Sequence, residues 1–160
     1  MPSELLIDPT QYDGKPSLFD RAGIQKYVPH RFEFALLDGV LRLDHETKLA
    51  VGFYDAKPDA FWVRGHVPGR PLMPGVLMVE AAAQLCTFVY QKDLAPPGGK
   101  AFVGFGGIDE VRFRGVIVPP ARLLLAVRCD QLRARASYWT AQGFSEGKPV
   151  FEGKIFALTV

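Results

Sequence analysis

The chain has 160 residues, 48% of them apolar and 22% charged, which suits one globular domain with a substantial core. Its 19 basic and 17 acidic side chains leave a formal net charge of +2. That balance argues against a nucleic-acid or membrane-surface role and leaves room only for a local basic patch.

Residues Met1 to Ser17 are turn-rich, with Pro2, Pro9, Gly14 and Pro16, and read as an irregular arm (1–17) before the main domain (18–160). Leu18 to Val28 predicts a short helix ended by Pro29. Phe32 to Leu43 and Thr47 to Tyr54 have the β-branched and apolar character of strands. Phe61 to Val63 is a short apolar piece before a Gly/Pro loop. Val76 to Gln91 has no breaker and is apolar nearly all round, which predicts a buried helix. Pro96-Pro97-Gly98-Gly99 forces a loop. Strands are then expected over Ala101 to Phe113, Ala121 to Leu132, Ala134 to Gly143 and Pro149 to Val160. Pro119-Pro120 and Glu146-Gly147-Lys148 supply the turns. The inventory predicts an α+β fold in which a twisted antiparallel sheet wraps one long central helix.

The N-terminus lacks the basic-plus-apolar pattern of a signal peptide, and no apolar run approaches the ~18 residues of a membrane span. Cys86 and Cys129 match no metal or redox spacing, and Cys86 falls in the apolar helix as a small core residue. A cytoplasmic setting is the simplest expectation.

Two titratable residues stand out. Glu80 is a lone carboxylate in the apolar helix, with Val76, Leu77, Ala83 and Gln84 on its face. Burial disfavours the charged form of a carboxyl group, and a carboxyl kept protonated can act as a general acid. The alternative is a partly exposed glutamate hydrogen-bonded to Gln84 or to backbone. His66 sits in the loop stiffened by Pro68, Pro71 and Pro74, where it can be a poised general base or a turn histidine with a local hydrogen bond. One His and one Glu make an incomplete zinc ligand set. Between them lies the helix start at Gly75 and Val76, whose N–H groups have no acceptor within the helix. With the positive end of the helix dipole, they can polarise a carbonyl.

The segment from Gly65-His66-Val67-Pro68-Gly69 through Met73-Pro74-Gly75-Val76 to Glu80-Ala81-Ala82-Ala83-Gln84 resembles the signature of the β-hydroxyacyl-acyl carrier protein dehydratases of the FabZ type. Pro29-His30-Arg31-Phe32 and Phe105-Gly106-Gly107-Ile108-Asp109-Glu110-Val111-Arg112-Phe113-Arg114 resemble the early and post-helix segments of the same family. The related FabA type carries aspartate at the acidic position, so Glu80 favours the FabZ side. The chain departs from the family pattern at Val67, Glu33, Gly39 and Pro120-Ala121.

The resemblance implies a hot-dog fold and a dimer, often assembled further into a trimer of dimers, with each active site at the dimer interface. It implies removal of water from a 3-hydroxyacyl thioester, giving a trans-2-enoyl thioester in fatty-acid-type synthesis. His66 of one subunit would be the base and Glu80 of the other the acid, with Gly75 and Val76 at the thioester. No metal or redox cofactor is needed, because elimination moves no net electrons. The partner is the thioester on acyl carrier protein or coenzyme A. Arg112, Arg114 and Arg122 are candidates for a basic carrier landing site, or are solvated surface charges. A hot-dog acyl thioesterase and a non-catalytic acyl-thioester-binding module are the other readings that this fold accommodates.

Overall fold

The computed structural model describes residues 3–98 and 101–160. Met1 and Pro2 of the expected arm, and Gly99 of the expected loop, lie outside the described residues. Seven strands form one antiparallel sheet. They are β1 (Phe19–Asp20), β2 (Gly39–Asp44), β3 (Leu49–Ala56), β4 (Val103–Phe113), β5 (Ala121–Arg133), β6 (Ala136–Ser145) and β7 (Lys148–Thr159), in the spatial order β1-β2-β3-β5-β6-β7-β4. A single helical turn α1 (Arg21–Ile24) precedes the long helix α2 (Gly75–Val89), which runs into a π-turn at Tyr90–Leu94. The sheet curls around α2, which is the hot-dog arrangement expected from the sequence.

Helix α2 is built to be enclosed. Ala81, Ala82, Leu85 and Phe88 are fully buried, and they share one core with Leu123, Leu125, Val127 and Trp139 of the sheet. Burial of such side chains contributes ~1.5–3 kcal/mol each, while the alanines let the strands approach closely. A smaller core covers the outer face of the sheet. There the arm residues Ile7 and Tyr12 pack with Leu41, Val51, Phe53, Leu124 and Phe144. The arm is irregular apart from a 3-10 turn at Pro9–Tyr12, and it is tied down by Gln142, which accepts from Leu6 N and donates to Glu4 O.

The hairpin joining β6 to β7 turns at Glu146 and Gly147, both with positive φ (52° and 74°). That backbone suits glycine and matches the twist of the flanking strands. Other boundaries differ from expectation. The helix expected over Leu18 to Val28 is confined to one turn, capped by Asp20, whose carboxylate accepts from Gly23 N at 2.8 Å. Phe19 and Asp20 instead extend the sheet edge by pairing with Val40 and Gly39. The strand expected from Phe32 begins only at Gly39; Phe32–Phe34 is a 3-10 turn. The reason is a side chain from α2. Gln84 accepts from Leu36 N at 3.0 Å and donates to Phe34 O at 2.9 Å, so these backbone groups are satisfied without a ladder.

Candidate active site

Glu80 lies midway along α2 with its side chain 20% exposed. Its Oε1 accepts from Gln84 Nε2 at 3.0 Å. Gln84 is only 1% exposed and has no freedom to flip. Its Nε2 faces the Phe34 carbonyl and Glu80, both acceptors, while its Oε1 faces the Leu36 N–H, a donor. The amide orientation follows from the donor and acceptor chemistry alone. The hydrogen bond between Glu80 and Gln84 that the sequence offered as the alternative reading is therefore present, and it holds the carboxyl group in one place.

His30 is a third member of this group. Its Nε2 is 3.7 Å from Glu80 Oε1, beyond normal hydrogen-bond length, and its ring stacks on Phe34 with centroids 6.2 Å apart. Its Nδ1 is buried without a hydrogen-bond partner. Burial pushes the imidazole pKa below its ordinary value; Glu80 opposes that shift and Arg31 adds to it. Sequence reasoning quoted His30 only within the Pro29-His30-Arg31 segment and gave it no role. A histidine directly after proline, in a segment matching the same family as the site, was the available signal.

His66 is exposed on the loop after Trp62. Its backbone N–H donates to Trp62 O at 3.0 Å, and its Nδ1 is 2.7 Å from Leu72 O. A carbonyl only accepts, so Nδ1 carries a proton, and in the neutral imidazole the lone pair is then on Nε2. The loop is fixed further by Met73 N, which donates to Ile117 O at 3.0 Å. The local hydrogen bond considered from sequence is real, and it leaves a basic nitrogen oriented outward. His66 does not line either of the two cavities that share Glu80.

Those two cavities share Glu80 in their linings. One is an open, apolar groove of about 380 Å3 formed by Val76, Val79, Ile108, Val111 and Phe113. The other is a smaller cavity of about 170 Å3 between α2 and the sheet. Phe105 borders both. Val76 is 70% exposed in the groove. Gly75 begins α2, and a Cβ there would meet the Phe113 ring at 2.8 Å. Glycine is thus required for Phe113 to close over the helix start, a reason separate from ligand approach. Cys86 also borders the smaller cavity, but burial pushes its thiol well above the usual range, so it is not a nucleophile.

The arginines do not form one patch. Arg112 and Arg114 border a shared depression on the face of β4 and β7, and Arg114 is paired with Glu152 at 2.7 Å. Arg122 is on β5, where it holds both oxygens of Asp55 at 2.7 and 3.0 Å and lies over the Phe53 ring. Strands β6 and β7 separate β5 from β4. Among the described residues, no cluster of three or more His, Cys, Asp or Glu side chains is arranged to hold a metal ion.

The family model for the FabA-like domain matches residues 28–154. The chain belongs to the FabA-like family. A curated relative from Clostridium botulinum (strain Loch Maree / Type A3), named 3-hydroxyacyl-[acyl-carrier-protein] dehydratase FabZ, is 34% identical over 132 residues, covering 82% of this chain and 90% of the relative. Among solved structures, the dehydratase heterocomplex ApeI:P from Xenorhabdus doucetiae aligns with a TM-score of 0.70 at 13% identity, covering 86% of this chain and 90% of that one. A mutant thioesterase from Pseudomonas aeruginosa aligns with a TM-score of 0.66 at 14% identity, covering 89% and 95%. At such identities the structures share the fold alone. The FabA-like match covers the segment with His66, the helix with Glu80 and the strand that borders both cavities.

Proposed function

We propose that this FabA-like chain is a 3-hydroxyacyl thioester dehydratase whose active sites each combine His66 of one subunit with Glu80 of another. The observation that carries the reading is Glu80, fixed by Gln84 at the junction of an apolar groove and an apolar cavity. Such a carboxyl group suits acid chemistry on an acyl substrate.

The dimer has a physical basis in β4. Among the described residues this strand pairs only with β7 and ends the sheet. Phe105, Ile108 and Phe113 on it are each 51% exposed. An open edge next to an apolar patch is a surface that a second copy covers. A second copy at this edge would bring its own His66 loop towards the groove beside Glu80.

In the proposed reaction, His66 Nε2 removes the C2 proton of the substrate. The electron pair of that C–H bond forms the C2–C3 double bond, and the C3–O bond breaks. Glu80 delivers a proton to the departing hydroxyl, which leaves as water. The Gly75 N–H at the start of α2 stabilises charge developing on the thioester oxygen. The proton taken by His66 returns to Glu80 through solvent, so the enzyme is regenerated without net redox change. The acyl group is carried on acyl carrier protein or coenzyme A.

The test is hydration of crotonyl thioesters on both carriers by the wild type and by His66→Ala and Glu80→Gln. Loss of activity in both folded variants supports the assignment; near wild-type rates in both would remove it. Release of free acid and thiol instead of hydrated product would favour a thioesterase.

A further inference from the structure

The cavity of about 170 Å3 beside Glu80 has a graded lining. Phe102 and Phe105 border it at 66% and 51% exposure, while Cys86, Ser137 and Trp139 are at 2% or less. The exposed phenylalanines mark the outer end, at the β4 edge that the proposed partner covers, and the buried residues mark the inner end. Trp139 Nε1 donates to Ser137 Oγ at 2.8 Å. That bond satisfies the indole N–H and fixes the ring. The neighbouring strand closes the wall, with Ile155 paired to Trp139 and Ala157 paired to Ser137. None of these residues takes part in the proposed proton transfers.

We infer that Trp139, held by Ser137, is a specificity-determining residue that limits the length of the acyl chain. This inference rests on the dehydratase reading of Glu80. The thioester end of the substrate occupies the open groove by Gly75 and Val76, and the alkyl tail passes Glu80 into the cavity. An apolar cavity of about 150 Å3 accommodates a benzene molecule, so this one holds roughly six carbons of the tail beyond C3. Each methylene that still fits raises kcat/KM about fourfold, as expected for burial of one such group. A longer tail must displace the indole ring and break its bond to Ser137, so the trend reverses.

The experiment measures kcat/KM for hydration of butenoyl, hexenoyl, octenoyl, decenoyl and dodecenoyl coenzyme A thioesters by the full chain. The expected profile peaks at octenoyl and falls beyond it. Trp139→Leu shortens the wall and should move the peak to decenoyl or dodecenoyl. Ala157→Val fills the same end and should move it to hexenoyl; this variant decides the matter if Trp139→Leu fails to fold by circular dichroism. A wild-type profile that rises through dodecenoyl, or an unchanged profile in folded Ala157→Val, would overturn the inference while leaving the dehydratase reading intact. No hydration at any length would remove the reading itself, and the inference with it.

Discussion

Gln84→Met is the sharpest perturbation of the site, because it keeps the size of the side chain while removing every hydrogen bond it makes. Methionine is unbranched and of similar volume, so repacking costs little. The loss falls on three partners: the buried Leu36 N–H, the part-buried Phe34 carbonyl and Glu80 Oε1. A buried donor left without a partner costs about 1–3 kcal/mol, and a part-buried carbonyl about 1 kcal/mol. The sum of about 2–4 kcal/mol is below the ~5–15 kcal/mol stability of an ordinary domain, so the variant should fold. In a domain of this size it lowers Tm by roughly 5–15 °C. The second effect is on rate. Glu80 loses the donor that fixes it, and a carboxyl group displaced by about 1 Å lowers kcat by up to about 100-fold. Urea denaturation at fixed protein concentration reads the first effect, and enoyl hydration by the folded variant reads the second. A stability change under about 0.5 kcal/mol together with wild-type kcat would refute the claim that Gln84 positions both the Phe34–Leu36 segment and Glu80.

Two further outcomes follow from the geometry. Burial holds His30 below its ordinary pKa, with Glu80 opposing and Arg31 reinforcing the shift. As pH falls, the unfolded chain therefore takes up this proton before the folded protein does, so His30 lowers stability below about pH 6.5, increasingly until the folded imidazole also titrates. His30→Asn should flatten the acid side of a plot of urea midpoint against pH; a plot that matches the wild type would contradict this placement of the charge-averse ring. Ile108→Asp puts a charge at a half-exposed position on β4 and should yield a monomer by sedimentation, with hydration activity lost and the protomer fold kept. A fully active dimer would show that this edge is not the interface.

Much of the candidate site was legible as local structure because its parts are local. The breaker-free run from Val76 to Gln91 makes α2, and the Gly/Pro pattern around His66 makes a loop that the histidine itself closes through Leu72. The turn at Glu146 and Gly147 was equally local. What the sequence did not disclose depends on partners distant in the chain. The apolar character of Phe32 to Leu43 suggested one strand, yet Gln84 on α2 captures Phe34 and Leu36 and delays the strand to Gly39. His30 acquires its environment only when that segment folds against Glu80. Gly75 was read for its free N–H at the helix start, whereas Phe113 on β4 also takes the space that a side chain there would need. The three arginines look like one group in the sequence, but Arg122 belongs to a different part of the sheet.

The central claim is that each site draws His66 and Glu80 from different subunits, and complementation tests it most directly. His66→Ala and Glu80→Gln chains, each inactive alone, are co-expressed in equal amounts so that they assemble at random. If the site is shared, half of the dimers contain both kinds of chain and each of these has one intact site. The mixture then recovers about a quarter of wild-type hydration activity, as the two-fold symmetry of a homodimer requires. If His66 and Glu80 of the same chain form the site, no combination restores it, and an inactive mixture containing mixed dimers would contradict the account.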